Sequence, residues 1–207
     1  MIKNSFFLIF FCLLFSLSAV AQKEAPFSEE MKQEMCNKVK EAAQHAWKGY
    51  KDYAWGADDL KPLTKNSKIW YKTSMLMTPV DAFDTFTLLG LTTEAKEAKD
   101  LILTKLDFNI DNDVQVFEIT IRLLAGLVTA YEMDGDKKFL TLAKDLADRL
   151  MPAFKSKTGM PYRYVHLQTG KTRDGINNPA EIGTLMMEFG KLSKITGDKK
   201  YYDAAKK

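Results

Sequence analysis

Met133-Asp134-Gly135-Asp136-Lys137-Lys138-Phe139 is echoed, sixty-odd residues on, by Ile195-Thr196-Gly197-Asp198-Lys199-Lys200-Tyr201. In each stretch a glycine closes one helix, because the position after a helix end favours left-handed backbone. The aspartate that follows can cap the next helix, and an aromatic then begins its apolar face. Leu89-Gly90-Leu91-Thr92-Thr93 is a third corner of the same kind. A Gly-Asp pair is by itself a good helix–helix turn and accounts for each corner singly. It accounts less well for the shared Lys-Lys-aromatic. A repeated helical hairpin accounts for both and predicts a stacked or closed array of hairpins.

Working outward, the mature chain reads as helices joined by short polar turns. Ser28 followed by Glu29 and Glu30 predicts a helix start, and Met31, Met35, Val39, Ala42, Ala43, Ala46, Trp47 and Tyr50 recur at helical spacing. Further helices are predicted over Thr78 to Leu89, with Pro79 in the first turn and Gly90 as the stop, and over Thr93 to Leu106, Val114 to Met133 and Lys137 to Leu150. Residues 153–178 break the pattern and hold a strand-like run at Tyr162 to Leu167. One more helix is predicted from Pro179 to Thr196, and Tyr201 to Lys207 opens another. A helical array needs its last face covered, so the sequence is expected to be the front part of a longer protein.

The first 21 residues are expected to be a cleaved signal peptide rather than part of the fold. Lys3 gives a basic start, Phe6 to Leu17 is apolar, and Ala19-Val20-Ala21 precedes Gln22 with small residues where cleavage needs them. A membrane-spanning helix needs about 20 apolar residues, more than this run supplies. An exported protein is the expectation, periplasmic, secreted or in the secretory pathway, with residues 22–207 forming one domain and no membrane span after cleavage. Thirty Lys and Arg against 27 Asp and Glu give a net charge of +3, too weak and mixed for a nucleic-acid partner. Cys12 lies in the signal, so Cys36 stands alone, and with only His45 and His166 there are too few ligands for a Cys/His zinc site.

Glu118 sits in Asp113-Val114-Gln115-Val116-Phe117-Glu118-Ile119-Thr120-Ile121-Arg122-Leu123, an acid among apolar residues at a helix start. Arg122 lies four residues on, hence on the same face. Two readings stay open on these residues: a structural ion pair, or a general acid whose charged form is disfavoured by its setting. Asp107, Asn109, Asp111, Asp113 and Glu118 also fall at calcium-loop spacing of EF-hand type, with Asn112 where that loop needs glycine. An Asp/Asn-rich turn capping the next helix is the plainer alternative. Between Trp47 and Leu63, the aromatics Trp47, Tyr50, Tyr53 and Trp55 and the acids Asp52, Asp58 and Asp59 suit a sugar site, although helix packing explains the aromatics almost as well. Asp81, Asp84 and Glu181 join Glu118 near the starts of predicted core helices. For Glu181 the helix dipole alone is sufficient reason. If these helices line one barrel, the carboxylates gather at one end.

At these residues the sequence resembles glycoside hydrolase family 47, the class I α-1,2-mannosidases. The resemblance rests on His45-Ala46-Trp47, Gly49-Tyr50, Tyr53-Ala54-Trp55-Gly56, Asp58-Asp59-Leu60 and Pro62-Leu63. It continues through Val80-Asp81, Asp84-Thr85, Val116-Phe117-Glu118, Thr120-Ile121-Arg122, Asp148-Arg149-Leu150 and Pro152-Ala153-Phe154. It ends with Ala180-Glu181-Ile182-Gly183-Thr184, Glu188-Phe189, Leu192-Ser193 and Thr196-Gly197-Asp198. These motifs follow one another in order along nearly the whole mature chain.

The resemblance implies an all-α fold, a barrel of seven helical hairpins, (αα)7, of which this chain is an incomplete N-terminal portion. It implies an inverting glycosidase that removes terminal α-1,2-linked mannose from N-glycan-type oligosaccharides. Glu118 matches the catalytic acid, Arg122 and Glu181 match residues lining the mannose subsite, and Asp81 matches an acid near it. A calcium ion is implied as cofactor, with its protein ligand, a threonine, and the catalytic base expected beyond Lys207, so no metal ligand is expected in this chain and the chain alone is expected to be inactive. Ser74-Met75-Leu76-Met77-Thr78, Phe83-Asp84-Thr85-Phe86 and a short loop from Thr172 to Asn178 depart from the family's usual pattern at the outer, specificity-setting subsites. The expected partner is a mannose-containing oligosaccharide, and the expected state a monomer. Two further expectations come from other classes: a silent helical glycan-binding protein, and a helical scaffold whose loop at Asp107 to Glu118 binds calcium.

Overall fold

The computed structural model describes residues 27–207, so the expected signal peptide lies outside the described residues. The described residues fall into two units, residues 27–38 and Val39–Lys207. Of the first, residues 29–38 are helical, and Met31 and Met35 are exposed. They belong to α1 (Glu29–Ala54), whose buried residues are Trp47, Tyr50 and Ala54. No described helix is long and apolar enough to cross a membrane.

The second unit is built from helical hairpins and two small sheets. The hairpins are α2 (Met77–Leu89) with α3 (Thr92–Lys105), α5 (Ala125–Asp134) with α6 (Lys137–Leu150), and α8 (Met186–Thr196) with α9 (Lys199–Ala205). Their corners are those read from the sequence. Gly135 and Gly197 are left-handed at φ 82° and 73° and end α5 and α8. The side chains of Asp136 and Asp198 then accept from the backbone N–H of Lys138 and Lys200 at 3.0 and 3.1 Å. Phe139 and Tyr201 follow, fully buried. The third corner shares the left-handed Gly90 but has no capping side chain, because Leu91 stands where the other two carry aspartate.

Two predicted helices need correction. The helix expected from Val114 begins at Val116, because Asp113–Gln115 is β3, paired antiparallel with β4 (Tyr164–His166) in the register Val114↔Val165. β4 also pairs with β5 (Thr172–Arg173). Val114 and Val165 are both fully buried, and burial of these β-branched residues favours the ladder. α4 (Val116–Ile119) then runs through a π-helical turn (Thr120–Leu124) into α5. The helix expected over Pro179 to Thr196 is broken into α7 (Pro179–Gly183) and α8. Gly183 is a poor helix former and Thr184 bonds back to the Ala180 carbonyl at 2.9 Å, competing with the helix ladder.

α2 packs against α5, and α8 against both α5 and α6. The shared core is Ile119, Leu123, Leu124, Leu127, Phe139, Leu146, Leu150, Phe189, Leu192 and Tyr201, with the Phe83 and Phe139 rings 5.2 Å apart. The close approach of α2 and α5 depends on Gly126: a Cβ there would lie 2.6 Å from Val80 Cγ1 and 3.2 Å from the Val80 carbonyl oxygen.

The second sheet, β1 (Asp59–Lys61) with β2 (Asn66–Lys68), precedes α2. Between them and α2 the chain is tied by Asp58, which is fully buried. One carboxylate oxygen accepts from Met75 N–H at 2.8 Å, Ser74 Oγ at 3.1 Å and Met77 N–H at 3.3 Å. The other accepts from Trp70 N–H at 2.9 Å. Leu76, enclosed by these bonds, is held left-handed at φ 56° just before α2. A branched-γ side chain tolerates that conformation only where its surroundings impose it.

Candidate active site

Asp81 comes from α2, Glu118 from α4 and Arg122 from the π-helical turn that packs against α2. Arg122 Nε donates to Glu118 Oε2 at 3.0 Å, and Arg122 Nη1 donates to Asp81 Oδ2 at 3.3 Å. The Arg122 guanidinium also lies 5.1 Å from the Trp70 ring centre, and the Trp70 indole N–H donates to Asp59. The sequence left an ion pair and a general acid as alternatives for Glu118; the ion pair is present. Glu118 is paired, and with Lys68, Trp70, Tyr71, Gln115 and Tyr164 it lines a cleft of about 290 Å³. That is near the lower end of ligand pockets, about 300–1,000 Å³.

The electrostatics follow from this arrangement. Surrounding protein disfavours the Asp81 charge and raises its pKa, although Arg122 opposes the rise. Burial works against the Arg122 charge too, but the hydrogen bond to Glu118 and the charge of Asp81 hold its pKa above the ordinary value. Each of these side chains is about a third exposed, so the ion pairs contribute only about 1 kcal/mol or less to stability.

Glu181 is not bonded to that triad. Arg163 grips it with two parallel bonds, Nη2 to Oε1 at 3.0 Å and Nε to Oε2 at 3.2 Å. Burial pushes its pKa up, but the Gln115 amide, Asn178 and Arg163 outweigh that and leave it below the ordinary carboxylate value. Gln115 lines the Glu118 cleft. Asp81, Glu118 and Arg122 thus form one group, and Glu181 with Arg163 another. Asp84 is outside both; it accepts from Thr85 Oγ1.

Several expected site residues have other work. Asp58 is the buried tie described above, and Trp47 and Tyr50 are core residues, stacked 5.2 Å apart. Of the early aromatics only Tyr53 and Trp55 are exposed. The calcium-loop reading is overturned. Asp111 pairs with Lys72 and His166, Asp113 with Arg173, and Glu118 with Arg122, while Asp107 caps the Asn109 N–H. Asn112 is not left-handed; its buried amide bonds the backbone of Lys72 and Thr73. Among the described residues no group of three or more His, Cys, Asp or Glu is placed to hold a metal ion.

The residues that the sequence did not single out are the cleft walls, Lys68, Trp70, Tyr71, Gln115 and Tyr164, and the clamp Arg163. Trp70 and Tyr71 lie in an aperiodic loop, where the only signal is an aromatic pair on its own. Arg163 alternates with Tyr162 and Tyr164, a pattern that marks a strand and not a partner for Glu181.

Comparison with known proteins agrees with the geometry. The model of glycosyl hydrolase family 47 matches residues 42–207. The endoplasmic reticulum mannosyl-oligosaccharide 1,2-alpha-mannosidase of Rattus norvegicus is 41% identical over 195 residues, covering 92% of this chain and 29% of that protein. A mannosyl-oligosaccharide 1,2-alpha-mannosidase of Arabidopsis thaliana is 41% identical over 191 residues, covering 89% of this chain and 34% of that protein. The chain thus spans about a third of the length of these curated relatives. Among solved structures, the alpha-1,2-mannosidase from Trichoderma reesei, an (αα)7 barrel, superposes with a TM-score of 0.76 at 28% identity, over 83% of this chain and 39% of that one. A match over most of the chain, the hairpin fold and the paired carboxylates agree: the chain belongs to glycosyl hydrolase family 47.

Proposed function

We propose that the full-length gene product is an exported, monomeric, inverting glycosidase that removes terminal α-1,2-linked mannose from N-glycan-type oligosaccharides. The observation that carries this reading is the placing of Glu118: one oxygen is held by Arg122, and the side chain faces a cleft walled by Trp70, Tyr71 and Tyr164. Because Oε2 already accepts from a cation, Oε1 is the oxygen to carry an acidic proton. In the reaction Glu118 gives that proton to the glycosidic oxygen as the C–O bond breaks, and the bonding electrons leave with the oxygen. Water adds to the opposite face of the sugar. Arg122, Asp81 and Glu181 offer donors and acceptors to the mannose hydroxyls, and the aromatic walls offer apolar faces to the ring.

The base that activates the water, and the threonine that binds calcium, are proposed to belong to parts of the full-length product outside this chain, as the resemblance implies. No step is assigned to calcium in these residues. Delivery across a membrane is proposed to depend on the first 21 residues.

The test is release of free mannose by the full-length product from α-1,2-linked and α-1,6-linked mannobiose. Release from the α-1,2 isomer alone is expected. Binding of mannoside with no release from either would favour the silent glycan-binding reading, and release from the α-1,6 isomer alone would contradict the assigned linkage.

A further inference from the structure

Arg163 is fixed to the Glu118 region through its backbone. Its N–H donates to the Asp174 carbonyl at 3.0 Å, and its carbonyl accepts from the Val116 N–H at 2.9 Å, two residues before Glu118. Its side chain meets Glu181 in fork geometry, with both carboxylate oxygens engaged. The Glu181 side chain is only 12% exposed, and Asn178 Oδ1 caps its own N–H at 3.0 Å. The Arg163 side chain is 40% exposed, so what sets this pair apart from an ordinary surface ion pair is its two-bond fork on a nearly buried carboxylate. Here both backbones are already held.

We propose that Arg163 is a positioning residue, which fixes the plane of the Glu181 carboxylate so that it meets sugar hydroxyls as a pre-set acceptor. The proposal rests on the reading of Glu181 as a sugar-binding residue. An ionised carboxylate has about four acceptor sites. Arg163 takes one on each oxygen, so a sugar hydroxyl meets the carboxylate on a side that the fork leaves open. A lysine at position 163 would restore the charge but not the fork.

The experiment compares Arg163→Met, Arg163→Lys and Glu181→Gln, and the Met/Gln double variant, in the full-length product with α-1,2-mannobiose. Arg163→Met is expected to raise KM about tenfold, with kcat within about twofold of wild type. Arg163→Lys should fall between wild type and Arg163→Met. Arg163→Met should have little further effect once Glu181 is Gln. An unchanged KM in Arg163→Met, or equal effects with and without Glu181, would overturn the proposal while leaving the mannosidase reading intact. If Arg163→Met loses its cooperative melting transition, Arg163→Lys decides by the same KM criterion. If wild type binds mannobiose without cleaving it, the calorimetric Kd replaces KM: a tenfold shift then upholds the role of Arg163 although the enzymatic reading has failed. A wild type that neither binds nor cleaves mannobiose overturns both.

Discussion

Asp58 and Glu118 are both acids, but they have opposite surroundings. Asp58 accepts four hydrogen bonds in a dry site and holds Leu76 left-handed ahead of α2. Asp58→Ala removes the acceptor and leaves buried donors unpaired, each costing about 1–3 kcal/mol. The expected loss is at least about 3 kcal/mol by urea unfolding of the protein, and a loss below about 1 kcal/mol would show that water replaces the carboxylate. Glu118, by contrast, keeps one oxygen free and faces a cleft. The sequence does not separate these cases, because the immediate neighbours of an acid do not show which groups fold onto it. What separates them is whether the chain folds its own N–H groups onto the acid, and that depends on contacts 12 to 19 residues away, between Asp58 and the segment from Trp70 to Met77.

The hairpin corner was legible because its signals are local: a left-handed glycine, a capping aspartate and a buried aromatic within five residues. The caps give a pH prediction. Hydrogen bonds from Lys138 and Lys200 N–H hold the Asp136 and Asp198 carboxyls below their ordinary pKa. A depressed folded pKa means that the stabilisation is present above the unfolded value, about 3.9, and is lost as pH falls through the lower folded value. Asp136→Ala and Asp198→Ala should therefore lower Tm at pH 7, and each difference from wild type should close as pH falls to about 2. A difference that persists there would mean that the loss is not from the cap. Gly126 is the second element-scale test. Alanine favours a helix by about 1 kcal/mol over glycine, but its Cβ would meet Val80 side chain and backbone. The clash should win, with Gly126→Ala destabilising by about 1–2 kcal/mol; increased stability would show that α2 can move away. The break at Thr184 and the strand at Asp113–Gln115 were not legible, since each depends on a partner distant in sequence or on a side chain that bonds back to the backbone.

At the scale of the molecule, hairpin repetition and ordered motifs were enough to read an all-α hairpin fold, and the superposition on a solved α-1,2-mannosidase bears this out. Of the candidate site, the sequence supplied Asp81, Glu118, Arg122 and Glu181, but not that they form two groups, nor the aromatic walls. Those walls come from an aperiodic loop and a short strand, which carry no periodic signal. The central claim is that Glu118 is the acid of an inverting reaction. The direct test follows mannose release from α-1,2-mannobiose by proton NMR, for the full-length wild type and for Glu118→Gln, which keeps an oxygen for Arg122 but cannot donate an acidic proton. The account predicts β-mannose as the first anomer formed by wild type, and a rate at least about 100-fold lower in the variant. Release at the wild-type rate by Glu118→Gln, or α-mannose as the first product, would contradict it.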